Sequence, residues 1–195
     1  MAIVKAPLLS LGASGKIAGT LVCSTWKGLK TIREYVIPAN PQSADQTTQR
    51  NLFSACVSAW RNYLSAATER AAWNRTALAS GKAQSGFNSA MKALIGILAG
   101  DPDASFGNGA VAAAGNEVDF TMLNADDGAA GDEAGNFELW VGTSPTSLLL
   151  VSSVLTIIGG AIASGDIGDT DDVLYVKIRK DAFDRTGIHK VTLVE

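Results

Sequence analysis

The chain is poor in the side chains on which most enzyme chemistry rests. Its 195 residues include one histidine, His189, and two cysteines, Cys23 and Cys56. One imidazole and two distant thiols lack the ligand spacing of a zinc site. Two cysteines outside any CxxC pair do not make a disulfide framework. Each reads as a small buried apolar residue, which implies synthesis in a reducing compartment. A Ser–His–Asp arrangement would have to be built around His189, yet no GxSxG elbow accompanies it. His189 therefore reads as a strand residue near the C-terminus, and no enzyme activity is expected.

Long apolar runs are also missing. The longest, residues 148–163, is interrupted by Ser152, Ser153, Thr156, Gly159 and Gly160. It falls short of the roughly 20 residues a membrane helix needs and reads better as two strands around a turn. Only Ala6, Pro7, Leu8 and Leu9 separate Lys5 from Ser10, too little for a secretion signal. The expectation is a soluble protein with no membrane partner. Gly12-Ala-Ser-Gly15-Lys16 has two residues between its glycines and Ile17 after its lysine. A phosphate loop needs four residues there and a hydroxyl after the lysine, so no nucleotide site is expected.

What the chain does have is charge sorted by position. Residues 1–100 carry 11 Lys/Arg against 3 Asp/Glu, whereas residues 101–195 carry 5 against 16. The overall −3 hides two halves of opposite sign, a pattern that favours association with complementary surfaces, copies of itself included. Lys5, Lys16, Lys27, Lys30, Arg33, Arg50, Arg61, Arg70 and Arg75 could contact phosphates, but no helix-turn-helix or aromatic stacking platform organises them. The acidic half would repel a polyanion, so nucleic acid is a disfavoured partner.

The period of the apolar residues changes where the charge does. In residues 1–42, Pro7, Gly12, Gly15 and Gly19 oppose helix. Residues 16–24 and 30–37 are rich in β-branched side chains, with Trp26-Lys27-Gly28 as the turn between them. Such a hairpin is marginal alone, so an extended basic arm that packs on a neighbour is expected. Pro38 and Pro41 end it. Ser43 and Gln46 read as a capping box, and Leu52, Phe53, Cys56, Val57, Trp60 and Leu64 predict a helix over 44–64. Ser65 is expected to cap a short second helix through Trp73, and a third is expected over 84–99, ended by Gly100-Asp101-Pro102. Trp60, Trp73 and Phe87 should then meet as the core of a helical unit spanning 43–100.

Beyond Pro102 the period is two. Val118, Phe120 and Met122 alternate with polar residues, as do Phe137, Leu139 and Val141. Strands are expected at 117–123, 136–142, 148–158, 173–179 and 188–194, with Gly/Asp-rich turns between them. This predicts an α+β chain ending in an acidic β-sandwich over 103–195. Asp126, Asp127, Asp132 and Glu133 crowd one turn, and Asp166, Asp169, Asp171 and Asp172 another. Clustered oxygens can hold calcium, but neither turn has EF-hand spacing, so a solvated acidic face is expected and no metal or cofactor is assigned.

One segment carries a resemblance. Gly15-Lys16-Ile17, Ser24-Thr-Trp26-Lys27-Gly28, Arg33, Pro38-Ala-Asn-Pro41-Gln42, Gln49-Arg50 and Ala59-Trp60 follow in order. Leu64-Ser65 and Ala72-Trp73-Asn74 continue it. This resembles a family of small structural proteins of tailed bacteriophages and prophages that open with a GKIxGxxVxSxWKG arm, then NPxSxxQ and a helix. The acidic half matches only in general character, as an immunoglobulin- or fibronectin-like sandwich. The resemblance implies a virion protein made in the host bacterial cytoplasm, without catalytic residues. Its expected partners are other virion proteins, such as major capsid or tail subunits, and copies of itself. On this reading the contact residues of the arm are Lys16, Ile17, Trp26, Lys27, Lys30, Arg33 and Tyr35. Leu21, Val22, Ile32 and Val36 would add apolar area.

Overall fold

The computed structural model describes residues 2–3, 15–17, 19–37, 39–40 and 42–195. Lys5, the first three residues of Gly12-Ala-Ser-Gly15, Pro38 and Pro41 lie outside them, as does the Ile17 side chain. Among the described residues the chain is α+β, with three helices and three antiparallel sheets. It divides into two compact units, Met1–Ser43 and Ala44–Glu195.

The described residues of the first unit form a four-stranded sheet of order β1-β4-β3-β2. Its strands are β1 (Ala2–Ile3), β2 (Gly15–Ile17), β3 (Leu21–Trp26) and β4 (Leu29–Glu34). β3 and β4 pair over six residue pairs, from Leu21↔Glu34 to Trp26↔Leu29. Lys27 and Gly28 close them with φ of 48° and 80°. Two successive positive φ values twist a two-residue turn with its strands, and Gly28 takes up that geometry without steric cost. The single strand expected over 16–24 is instead two, because Gly19 (φ 71°) and Thr20 turn the chain back between β2 and β3. The second expected strand stops at Glu34, where the Tyr35 amide donates to the Thr20 carbonyl at 2.7 Å.

The second unit opens with α1 (Ala44–Tyr63), α2 (Ala67–Ala79) and α3 (Gly86–Leu98). α3 starts at Ser85, whose hydroxyl accepts from the Asn88 amide. It buries Ala90, Met91, Ala93, Leu94, Ile97 and Leu98. Ser65 does not cap α2. Its hydroxyl reaches back to the Arg61 carbonyl at 2.9 Å, and Ala66 takes the N-cap position of α2 without a side-chain cap. α2 also runs past Trp73 to Ala79. α1 buries only Cys56 and Ala59 along its length, and residues 44–51 are all exposed.

The strands that follow are β5 (Ser105–Ala113), β6 (Glu117–Asn124), β7 (Phe137–Ser144), β8 (Ser147–Leu155), β9 (Ala161–Ala163), β10 (Val173–Lys180), β11 (Phe183–Asp184) and β12 (His189–Thr192). One sheet has the order β5-β6-β9. In the other, β8, β7 and β10 run side by side, and β11 and β12 both pair with β10. The two sheets share one apolar core. Val118, Phe120, Met122 and Ile162 come from the first, and Phe137, Leu139, Val176 and Ile178 from the second; all are fully buried. The period-two pattern places these residues inward, and each large side chain contributes roughly 1.5–3 kcal/mol by leaving water.

The helices pack both on one another and on the strands. Cys56, Leu64, Met91, Leu94 and Leu98 pack with Phe106 of β5 in one cluster, and the Tyr63 ring lies 6.0 Å from that of Phe106. Trp60, Trp73 and Phe87 do come together: Trp60 packs beside Trp73 and meets Phe87 edge-on at 5.5 Å. Helices and sheets are tied further by Gly187, which lies so close on α2 that an added Cβ would sit 2.8 Å from Ala72. The neighbouring Ile188 amide donates to the Ala72 carbonyl and the Thr76 hydroxyl.

Candidate interaction surfaces

The residues assigned to the N-terminal contact divide between two faces of its sheet. Strand alternation and register put Lys16, Val22, Ser24, Trp26, Leu29, Thr31 and Arg33 on one side. Lys30 falls on the other, with Leu21, Cys23 and Ile32. Trp26 stands at the tip, 65% exposed, and its cross-strand partner Leu29 is 48% exposed. The Lys27 ammonium lies 4.9 Å from the Trp26 ring centre, and that of Lys16 lies 3.8 Å from the Tyr35 ring centre. These cation–π contacts hold two lysines over aromatic faces. Val36 and Ile37 follow, both largely exposed, while Val22 and Ile32 are half-buried. Ser24 and Thr31 share a hydroxyl–hydroxyl bond of 2.9 Å that fixes the middle of the pair. The outcome is an exposed aromatic and aliphatic tip with positive charge around it.

The acidic turns are largely engaged by the protein itself. Glu133 accepts from both terminal nitrogens of Arg185, at 2.8 and 3.0 Å, from the Lys180 ammonium at 2.6 Å and from the Ser105 amide at 2.8 Å. Arg185 is only 4% exposed, and it also donates to the Ser105 carbonyl. Burial pulls the guanidinium pKa below its ordinary value, and the Glu133 carboxylate opposes that shift most strongly. Asp132 accepts from the Asn124 amide group, and Asp127 from the Ala129 N–H. Across the other turn, Asp172 accepts from the Asp169 amide. Among the described residues no three His, Cys, Asp or Glu side chains gather as a metal set.

His189 is buried against α2. Its Nε2 faces Glu69 Oε2 at 3.5 Å without hydrogen-bond geometry, and both atoms lack a partner. Loss of hydration raises the Glu69 pKa to about 7, with the nearby Arg75 opposing. Loss of hydration lowers the His189 pKa to about 4, with Arg75 adding to the fall. The low-dielectric site thus favours the neutral form of each group. The pair is buried in the helix–sheet joint.

A cleft of about 350 Å³, absent from the sequence reading, lies between α2–α3 and the outer face of the β7–β10 sheet. Trp140, Lys92, Lys177, Arg179, Gln84 and Ser89 are among its walls. Arg179 lies 5.3 Å from the Trp140 ring centre, and Asp184 bridges Lys177 and Arg179. Trp140 was legible only as a strand residue. Its outward phase opposite the core residues Leu139 and Val141 was the available signal. Among the described residues no helix is long and apolar enough to cross a membrane. Comparison with protein-family models, curated proteins and solved structures found no match.

Proposed function

We propose that the chain is a structural subunit of a bacteriophage particle, a capsid decoration or cement protein. On this reading the first unit is an extended hairpin arm that clasps a neighbouring subunit. The paired sheets of the second unit form an immunoglobulin-like sandwich displayed on the particle. The observation that carries the proposal is the exposed Trp26–Leu29 tip with Lys27 and Lys16 nearby. Large aromatics dominate interface energetics, and a protein seldom leaves one two-thirds open beside other apolar side chains without a partner. The resemblance of residues 15–74 to phage structural proteins supplies the setting.

The test is competitive incorporation into particles that lack the native subunit. Trp26→Ala should lose about 2 kcal/mol or more of binding, roughly 30-fold. Lys27→Ala should lose much less, because it removes a solvent-screened rim charge. Equal incorporation of both variants and the native chain would show that the arm is not the anchor. Mass spectrometry of purified particles should find the chain in many copies. Six or twelve copies would favour the alternative of a neck, tail or fibre position.

The cleft beside Trp140 favours a second reading, a host-surface-binding module, since an aromatic wall with amide and hydroxyl groups suits a small polar ligand. Binding of the purified chain to host cells that is lost in Trp140→Ala would support it.

A further inference from the structure

The two outer edges of the β8-β7-β10 sheet are treated in opposite ways. On the β12 side, the Ile188 amide bonds to α2, the Arg75 side chain donates to the Ile188 carbonyl at 2.8 Å, and Lys190 is exposed. Helix contacts and a lysine are familiar ways of closing an edge. On the β8 side, the described residues place no strand beyond it. β8 is nine residues long and exposes Leu149 (72%), Leu150, Val151 and Val154 (69%). Ile158, just beyond, is also exposed.

The register puts the exposed apolar groups on both sides of β8, since Leu149 pairs with the core residue Val141 and Leu150 with the outward Trp140. Leu139 pairs with Ser152 and the next residue, Trp140, with Leu150, so Val151 is an extra residue on β8. A second irregularity between Leu139 and Phe137 leaves Ser153 and Val154 against a single β7 residue. Bulges re-aim side chains, and these two direct valines away from the core. A groove of about 400 Å³ continues the patch, lined by Val154, Leu155, Thr156, Ile158, Ala161 and Ala163. It lies where β8 and β9, the end strands of the two sheets, come together.

We propose that this edge binds a second copy of the chain, β8 against β8 about a two-fold axis. Charge selects that occupant. Residues 139–165 contain no Asp, Glu, Lys, Arg or His, in a chain whose last 95 residues carry 16 acids. In a two-fold contact a charge near the axis meets its own copy, and this edge has none to oppose. An acidic or basic partner would find no counter-charge here. The area also suffices. Five exposed side chains at roughly 100 Å² each bury about 1,000 Å² over both copies, the lower bound for a specific interface. The dimer is a property of the free chain and does not depend on its place in a particle.

Sedimentation equilibrium of the full chain should therefore show reversible association from 20.2 kDa to twice that mass. Leu149→Lys, and separately Val154→Lys, should raise the dimer dissociation constant about 100-fold or more, because each brings a charge into a neutral two-fold contact. Both positions are exposed, so circular dichroism should remain native. Trp26→Ala should leave the dimer unchanged, as should raising salt from about 0.05 to about 0.5 M. A monomer at every concentration up to about 100 µM would overturn the proposal. So would native-like association by both lysine variants, or a dimer lost with Trp26→Ala or salt.

Discussion

Glu133→Ala tests a carboxylate that three residues hold by hydrogen bonds. The carboxylate lies between three donors: the Arg185 guanidinium, the Lys180 ammonium and the Ser105 amide. Side-chain exposures of 9% for Glu133 and 4% for Arg185 leave little water to replace it. Removing it keeps Arg185 buried and charged with the Ser105 carbonyl as its remaining side-chain acceptor, and its Nε already has none. Breaking one side of a buried ion pair costs about 3–5 kcal/mol, because the surviving charge keeps its desolvation penalty without compensation. That is a large part of the roughly 5–15 kcal/mol available to a folded domain. Urea unfolding followed by circular dichroism should show the midpoint falling with little change in slope. The companion is Glu133→Leu with Arg185→Met, which removes both charges and should lose less than Glu133→Ala alone. A Glu133→Ala loss below about 1 kcal/mol would refute the reasoning, as would a double variant worse than the summed single changes.

The buried Glu69–His189 pair makes opposing contributions to pH-dependent stability. A carboxyl raised from 4.5 to about 7 stabilises the fold fully below pH 4.5 and loses that contribution as pH rises to about 7. An imidazole lowered from 6.5 to about 4 stabilises it above pH 6.5 and loses that contribution as pH falls to about 4. The native chain should therefore vary little in stability between about pH 4.5 and 6.5 through this pair. Glu69→Gln should unmask acid sensitivity and His189→Gln a decline toward neutral pH, each up to roughly 3 kcal/mol, read from urea midpoints across pH. Parallel profiles for the two variants would contradict this. Gly187→Ala should cost about 1–3 kcal/mol by forcing β12 away from α2, and thermal unfolding should show it; an unchanged Tm would mean the joint yields freely.

The helices and the inward-alternating strands were legible because their signals are periodic and local. The strand β5 was not. Its sequence Ser-Phe-Gly-Asn-Gly-Ala-Val-Ala-Ala holds one β-branched residue and two glycines. Pairing with β6 makes it a strand, and Gly107 is required because a Cβ there would meet Thr186 Cγ2 at 2.1 Å. The Glu133–Arg185 bridge spans 52 residues, and nothing local distinguishes Glu133 from its solvated acidic neighbours. The prominence of Trp26 came through because a Trp-Lys-Gly turn places its first residue at a hairpin tip. The exposure of β8 did not, because it depends on two bulges and on the strand's lying at the sheet edge.

The charge split along the sequence also changes meaning once folded. Six of the basic residues in the first hundred, Arg50, Arg61, Arg70, Arg75, Lys82 and Lys92, belong to the same compact unit as the acidic strands. Sorted by unit, Met1–Ser43 carries five Lys/Arg against one acid, and Ala44–Glu195 carries 11 against 18. Opposite net charges therefore belong to the two units, and attraction between copies through them would weaken as salt rises. Contact through β8 involves no charge and would not weaken. If both surfaces are used, assembly should proceed in two separable steps. A salt-resistant dimer would persist at high ionic strength, and only arm-mediated attachment would weaken. A single salt-sensitive transition from assembly to monomer would rule out that division of labour.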